Sequence, residues 1–100
     1  MTRRYVLTAS ARADLEQFAE FIAEDSVDAA LRVLSALDEA FAKLAERPGI
    51  GHTRKDLTDR PVKFWSVYSY LVVYDPASSP LTVIAVLHGA RDVAQILKNI

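Results

Sequence analysis

The sequence contains no cysteine, which excludes disulfides, thiolate zinc sites and cysteine nucleophiles. Glycine and proline are also sparse, with three and four residues, so the chain is neither collagen-like nor of low complexity. Of its 100 residues, 51% are hydrophobic and 25% are charged, which is typical of globular proteins. We therefore expect a single domain that spans residues 1–100 around one hydrophobic core.

Long apolar runs are missing as well. No apolar run approaches the ~20 residues that cross a bilayer. The basic start MTRRYVLTAS lacks the apolar segment that signal peptides carry. Together with the lack of cysteine, these absences predict a cytoplasmic protein that does not enter a membrane.

A large excess of either charge is also absent, because the net charge is only −1. A balance of this kind predicts neither strong nucleic-acid affinity nor an acidic tail. The distribution is uneven, however. Residues 9–46 carry nine acidic and three basic side chains, whereas residues 47–100 carry seven basic and four acidic ones. We therefore expect one acidic surface and one mildly basic surface.

Motifs for metals, nucleotides and serine nucleophiles are not found. His52 and His88 lie far apart and have no companion at helical spacing, so a metal site is not expected. The GIG of residues 49–51 lacks the third glycine and the preceding strand of a phosphate-binding loop. No G-x-S-x-G motif occurs. The sequence thus predicts neither a metal nor a cofactor.

The first half of the chain predicts a strand followed by two helices. Arg4–Thr8 is short and rich in β-branched and aromatic residues, which favours a strand. Thr8 or Ser10 can cap the first helix, and Asp25 or Ser26 can cap the second. One apolar stripe of helical spacing follows in each helix: Ala11, Leu15, Phe18 and Ile22, then Val27, Leu31, Leu34, Leu37, Phe41 and Leu44. The short link between them predicts an antiparallel hairpin, which Pro48 and Gly49 end.

The second half predicts a basic loop and a sheet. The loop runs from Arg47 to Pro61, and its length makes it a functional suspect, although a plain crossover from helix to sheet explains it equally well. Val62–Asp75 predicts two strands with a turn at Ser69, and Leu81–His88 predicts a further strand after the turn Pro76–Pro80. A short C-terminal helix follows. This order predicts a two-layer α+β fold, with the helix hairpin packed on an antiparallel sheet.

Basic residues offer one arrangement with chemical plausibility. If they line one side of the sheet, the basic side chains could neutralise a scissile phosphate, and His88 could act as acid or base. The residues of this arrangement are Arg54, Lys55, Lys63, His88 and Arg91. The simpler interpretation, which we favour, is that they are solvated or ion-paired residues at strand ends. In the stretch VLHGARD, Gly89 and Asp92 are accounted for by a turn into a capped helix. His88 and Arg91 have no such local explanation.

The chain resembles a known superfamily. The segments ASARADLEQFAEFIAE, RPGIGHTRKDL, YLVVYD and VLHGARD, in this order and spacing, are similar to the RelE/ParE superfamily of type II toxins, and most of all to its ParE branch. The resemblance covers Arg4 to about Leu97. It implies a two-layer fold with the first strand beside the last in an antiparallel sheet.

The resemblance also implies partners. Such toxins are neutralised by a small antitoxin, here ParD-like, whose C-terminal segment covers the working surface in a hetero-oligomeric complex. ParE-like members act on DNA gyrase and trap the cleaved DNA intermediate, whereas RelE-like members cut messenger RNA in the ribosome. Candidates for binding the target or the antitoxin are Arg54, Lys55, Lys63, Trp65, His88 and Arg91.

The residues then favour one branch. RelE-type nucleases resemble one another in a cluster of basic residues on the central strands and a C-terminal tyrosine or histidine–tyrosine pair. Here Lys63 is the only basic residue of those strands, and no tyrosine follows Tyr74. We therefore expect a gyrase inhibitor without catalytic residues. Two alternatives stay open: a ribosome-dependent endoribonuclease that uses His88 and Arg91, with Arg54 and Lys55 holding RNA, and a non-toxic regulatory partner that binds an antitoxin.

Overall fold

The structure is a computed structural model that describes residues 4–88. The predicted C-terminal helix, Gly89, Arg91 and Asp92 lie outside the described residues. The elements are, in chain order, β1 (Tyr5–Leu7), α1 (Ala9–Asp25), α2 (Val27–Glu46), a 3-10 turn (Pro48–Ile50), β2 (Lys63–Val67), β3 (Tyr70–Asp75) and β4 (Leu81–His88).

The strands form one four-stranded sheet in the order β1-β4-β3-β2. The helices pack against one face, which confirms the two-layer α+β fold. β3 is antiparallel to both of its neighbours. β1 lies beside β4, as the resemblance implied, but runs parallel to it, so the sheet is mixed. The chain reaches β4 from β1 through two helices and two strands, and a connection of that length permits parallel pairing.

Local capping explains where the helices begin. The Thr8 Oγ1 atom accepts a hydrogen bond of 3.0 Å from the Ala11 N–H, and the Ser26 Oγ atom accepts one of 3.1 Å from the Ala29 N–H. Each bond satisfies a free donor of a first helical turn. Ser26 alone separates the two helices, and the hairpin therefore turns tightly.

The core on the helix side of the sheet depends on a β-bulge. Val73 pairs with Ala85 but Tyr74 pairs with Val83, so Ile84 is an extra residue in β4. The bulge reverses the alternation of the strand. As a result Val83 and Val86, three positions apart, both belong to the helix-side core. The predicted interior strand is confirmed, and its near-continuous apolar character follows from this change of face.

Two side chains of the α1 region attach the hairpin to the bulge. The Thr8 hydroxyl donates to the Ile84 carbonyl oxygen at 2.6 Å, and the Val86 N–H donates to the Asp14 Oδ2 atom at 3.1 Å. Burial raises the pKa of the Asp14 carboxyl above its ordinary value, although the Val86 hydrogen bond opposes the shift. These two hydrogen bonds therefore fix the position of α1 along β4, beyond the part of β4 that pairs with β1.

The hairpin extends beyond the sheet. Phe18 contacts the ring of His88, the last residue of β4, with 6.2 Å between ring centroids. α1 continues for seven residues to Asp25, which is about 10 Å at 1.5 Å per residue. This overhang corrects the predicted apolar stripe of α2. Leu37 is 1% exposed, but Val27 and Leu31 are 62% and 58% exposed, since they lie on the overhang, where residues 4–88 provide no strand to cover them.

A hydrogen bond and an aromatic contact hold β1 to α2. The Tyr5 hydroxyl donates to the Asp38 Oδ1 atom, and the Tyr5 ring packs against Phe41 with 5.2 Å between centroids. Burial and the Asp38 carboxylate raise the pKa of Tyr5 to about 12. Neither helix in the described part of the chain is long and apolar enough to cross a membrane.

Candidate functional site

Apolar side chains gather at the overhanging end of the molecule. We call them the tip patch: Phe21, Val27, Leu31 and Tyr68, which are 71%, 62%, 58% and 69% exposed. Leu31 and Tyr68 line one shallow cavity of about 340 Å³, whose rim carries Arg32 and Glu39. Leu31 and Tyr68 thus form exposed apolar surface with charged neighbours, which is typical of a protein-binding site.

Tyr68 reaches the tip patch at a cost in backbone energy. It occupies the turn between β2 and β3, predicted near Ser69, with φ 55°. A bulky residue with positive φ is uncommon, and the left-handed conformation costs roughly 1–2 kcal/mol. The turn thus holds an aromatic ring in solvent in a conformation that glycine would adopt more easily. Such strain is concentrated at binding and catalytic sites.

The basic loop of residues 47–61 is attached to the core by Tyr74. The Tyr74 side chain is fully buried. Its hydroxyl accepts a hydrogen bond of 3.0 Å from the Gly51 N–H and donates one of 2.6 Å to the Pro48 carbonyl oxygen. His52 then pairs with Phe64 at the edge of β2 through backbone bonds of 2.9 and 2.7 Å. The first part of the loop is therefore an ordered extension of the sheet.

Arg54 and Lys55 lie further along this loop. The Arg54 guanidinium forms two hydrogen bonds to Asp56, of 3.0 and 2.9 Å. The pairing raises the pKa of Arg54 and lowers that of Asp56. Lys55 is exposed. Arg54 is thus engaged by a neighbour in its own loop, which leaves Lys55 as the more available cation of the two.

Trp65 is the centre of a second group. We define the Trp65 cluster as Lys43, His52, Lys63 and Trp65. The Lys43 Nζ atom lies 5.2 Å from the centroid of the Trp65 ring. The His52 ring lies nearly parallel to it, with 6.2 Å between centroids and 10° between planes. Lys63 precedes Trp65 by two residues on β2, so both side chains are on the same face.

Sequence reasoning identified Lys63 and Trp65 but missed Lys43 and His52 as members of this group. Lys43 is on α2 and His52 is in the loop. No local pattern relates residues separated by this much chain. The helix stripe places Lys43 on the polar side without showing which strand it meets.

His88 lies at the other end of the sheet. One of its ring nitrogens is 3.2 Å from the Ser69 Oγ atom, and its ring packs against Tyr70 with 5.0 Å between centroids. Phe18 contacts it from α1. Among the described residues, the surroundings of His88 are therefore a hydroxyl and two aromatic rings.

The strand register separates His88 from the predicted basic residues. His88 pairs with Tyr70, which pairs with Val67, whereas Lys63 is four residues earlier on β2. Four residues along a strand and two strand spacings across the sheet place the Cα atoms of Lys63 and His88 roughly 16 Å apart. The register thus puts Lys63 and His88 at opposite ends of the paired strands, and the shared site of His88 and the basic residues stays a prediction.

The loop cations lie at the same end as Lys63. His52 pairs with Phe64 at the start of β2, and Arg54 and Lys55 follow it away from the turn that contacts His88. Arg91 is outside the described residues. Within residues 4–88, no group of three histidine or carboxylate side chains is arranged to hold a metal ion.

Comparisons with known proteins place this fold in a family. A sequence profile described as "ParE toxin of type II toxin-antitoxin system, parDE" matches residues 5–93. A solved structure described as "Chromosomal ParDE TA system from P. aeruginosa" superposes with a TM-score of 0.70 at 14% identity, covering 88% of this chain and 97% of the other. A search of curated proteins finds no match. Because the profile covers most of its length, the chain belongs to the ParE toxin family of type II toxin–antitoxin systems.

Proposed function

We propose that this protein is the toxin of a type II pair, that it inhibits DNA gyrase, and that a ParD-like antitoxin neutralises it in a hetero-oligomeric complex in the cytoplasm. The family match over residues 5–93 carries the proposal. Inhibition here means binding to gyrase and stabilising its cleaved DNA intermediate. The toxin supplies a shaped surface and performs no chemistry of its own.

The arrangement of the sheet supports gyrase over messenger RNA as the target. Phosphodiester cleavage needs a proton donor or acceptor within hydrogen-bond reach of the reacting group and cations on the same phosphate. The register puts roughly 16 Å between the Cα atoms of Lys63 and His88, and this separation supports different surroundings for the two side chains rather than one shared phosphate. A role in protein binding makes no such demand.

The target can be tested with purified components. We expect antitoxin-free protein to block supercoiling by gyrase and to leave ribosome-bound message intact. Message cut at defined codon positions, with gyrase unaffected, would contradict the proposal in favour of an endoribonuclease. Normal growth of cells that produce the protein without an antitoxin would instead support a non-toxic regulatory partner.

The tip patch is the surface that we assign to the antitoxin. Four exposed apolar side chains suit an amphipathic segment that inserts aliphatic anchors beside Leu31 and Tyr68. Arg32 and Glu39 can pair with opposite charges at the rim of such a segment. Positions of this kind dominate binding energy because they are fully desolvated only in the complex.

Affinity measurements on matched variants test this assignment. We expect Leu31→Gln and Tyr68→Ser to weaken the complex with the antitoxin by about 30-fold or more each, since central anchors contribute ~2 kcal/mol. Val6→Thr is the control, because Val6 is 45% exposed on β1 and does not belong to the tip patch. Equal affinity of all three variants would show that the antitoxin binds elsewhere.

A further inference from the structure

The Trp65 cluster combines cations with a stacked pair of flat rings. Lys43 and His52 are exposed, and Lys63 and Trp65 are half-buried. The Lys43 ammonium lies over the indole, and the His52 ring lies parallel to it. Three elements of the chain thus contribute to one small area at the edge of the sheet.

The lysines of this cluster have no carboxylate partner among the described residues. The ion pair of Arg54 with Asp56 is the one that residues 4–88 form. Glu39 and Glu46 flank Lys43 on α2 but do not pair with it. Arg47 follows Lys43 by one helical turn, which adds a like charge nearby. Lysines without an ion pair attract anions, and a bound anion lowers the repulsion between like charges in the same cluster.

His52 adds a stacking platform. The His52 ring lies nearly parallel to the Trp65 ring, and the residue is exposed. A nucleobase can stack on this exposed ring, because every base has a flat π surface. The backbone bonds between His52 and Phe64 hold the platform in place at the edge of β2.

We propose that the Trp65 cluster binds single-stranded DNA, with phosphates on Lys43 and Lys63 and a base stacked on His52. The inference rests on the proposed function, in which the toxin meets cut DNA in gyrase. An acidic peptide would use the lysines but not the parallel rings, so the combination favours a nucleic acid. Because the net charge is −1, the affinity comes from these few residues and is moderate. A basic DNA-binding protein binds more strongly through its overall positive charge.

The chain offers a direct reporter, since Trp65 is its only tryptophan. We expect a short oligothymidine to quench the fluorescence of antitoxin-free protein, and the apparent affinity to fall with salt. Two lysine–phosphate contacts give a slope of about −1.4 in log affinity against log salt for a single strand. Lys43→Ala or Lys63→Ala should each reduce that slope by about 0.7.

Variants separate stacking from charge. His52→Ala should weaken binding by about five-fold or more, since it removes the stacking platform. Arg32→Ala is the matched control, because it removes an exposed cation from α2 at the tip patch and should leave affinity and salt slope unchanged. Superimposable urea unfolding curves verify that each variant is folded.

The inference is overturned if oligothymidine causes no quenching at low salt, or if Arg32→Ala loses as much affinity as the cluster variants. It is also overturned if oligouridine binds as tightly as oligothymidine or more tightly, or if an oligoglutamate of the same charge binds equally well. The gyrase assay separates this inference from the proposed function. Inhibition of gyrase without oligonucleotide binding refutes the DNA site alone. Oligonucleotide binding without inhibition refutes the gyrase assignment and leaves the site.

Discussion

The basic loop of residues 47–61 and the tip of the helix hairpin are opposite in kind. The loop has almost no regular secondary structure, yet Tyr74 attaches it to the core by two hydrogen bonds. The tip consists of regular helix with an apolar stripe, yet Val27 and Leu31 are more than half exposed. Regular structure therefore does not predict burial in this molecule. Contact with the sheet does.

The largest contrast is expected within α2 itself. Leu37→Ala should lower the free energy of unfolding by about 3 kcal/mol, because Leu37 is 1% exposed and the substitution leaves a cavity. Leu31→Ala, the same change in the same helix, should alter it by less than about 0.5 kcal/mol. Urea denaturation measures both. Similar losses of unfolding free energy for the two variants would show that Leu31 is packed, and the contrast between the two regions would then fail.

Two glycines test the attachment of the loop. Gly51 has φ −71°, which any residue adopts, so only space restricts it. A Cβ atom there would lie 2.8 Å from the Tyr74 Cε1 atom and closer still to the hydroxyl. We expect Gly51→Ala to cost about 2 kcal/mol of unfolding free energy. Gly49→Ala is the control, since nothing lies within 4 Å of its added Cβ. Equal stabilities would mean that the loop moves freely.

Removal of one hydroxyl should loosen the loop with a smaller loss of stability. Tyr74→Phe leaves the Gly51 N–H and the Pro48 carbonyl without their partner, at a cost of about 1–2 kcal/mol. Trypsin should then cut faster at Lys55 in the same loop. Tyr68→Phe, at an exposed ring in the other region, should change neither stability nor cleavage. Unchanged cleavage of the Tyr74 variant would contradict the role of its hydroxyl.

The smallest effect concerns the anchor between the hairpin and β4. Burial raises the folded-state pKa of Asp14, so its ionisation opposes folding as pH rises above the ordinary value of the carboxyl. Asp14→Asn keeps an acceptor for the Val86 N–H without that charge. We expect the variant to be more stable at pH 7 by roughly 0.5 kcal/mol or less, because solvent screens a half-exposed group.

This difference should vanish below about pH 3, where the wild-type carboxyl is protonated in both the folded and the unfolded protein. Unfolding curves of both proteins at a series of pH values provide the measurement. A stability advantage that grows on acidification would show that the carboxylate, rather than its burial, stabilises the anchor.

Local chemistry explains what could be predicted. Thr8 and Ser26 were each one of two proposed caps, and both cap because a short side-chain oxygen satisfies nearby N–H groups. The turn near Ser69 and the strand Leu81–His88 were also predicted correctly. Family membership could be inferred because the order and spacing of several segments are visible in the sequence alone.

The site was less predictable for a geometric reason. The distance between Lys63 and His88 depends on strand register, and register follows from pairing and from the bulge at Ile84. The Trp65 cluster joins a helix, a loop and a strand. The residue pattern within one element does not predict contacts between different elements.

The sequence by itself determined the elements, their ends, the uneven distribution of charge and the ParE family, since these depend on neighbouring residues or on their order. The tertiary structure decided which apolar residues of α2 stay in solvent, because the bonds of Thr8 and Asp14 to β4 set how far the hairpin extends beyond the sheet. It also decided that the basic loop is attached and that His88 stands apart from Lys63, because both follow from contacts between residues far apart in the chain.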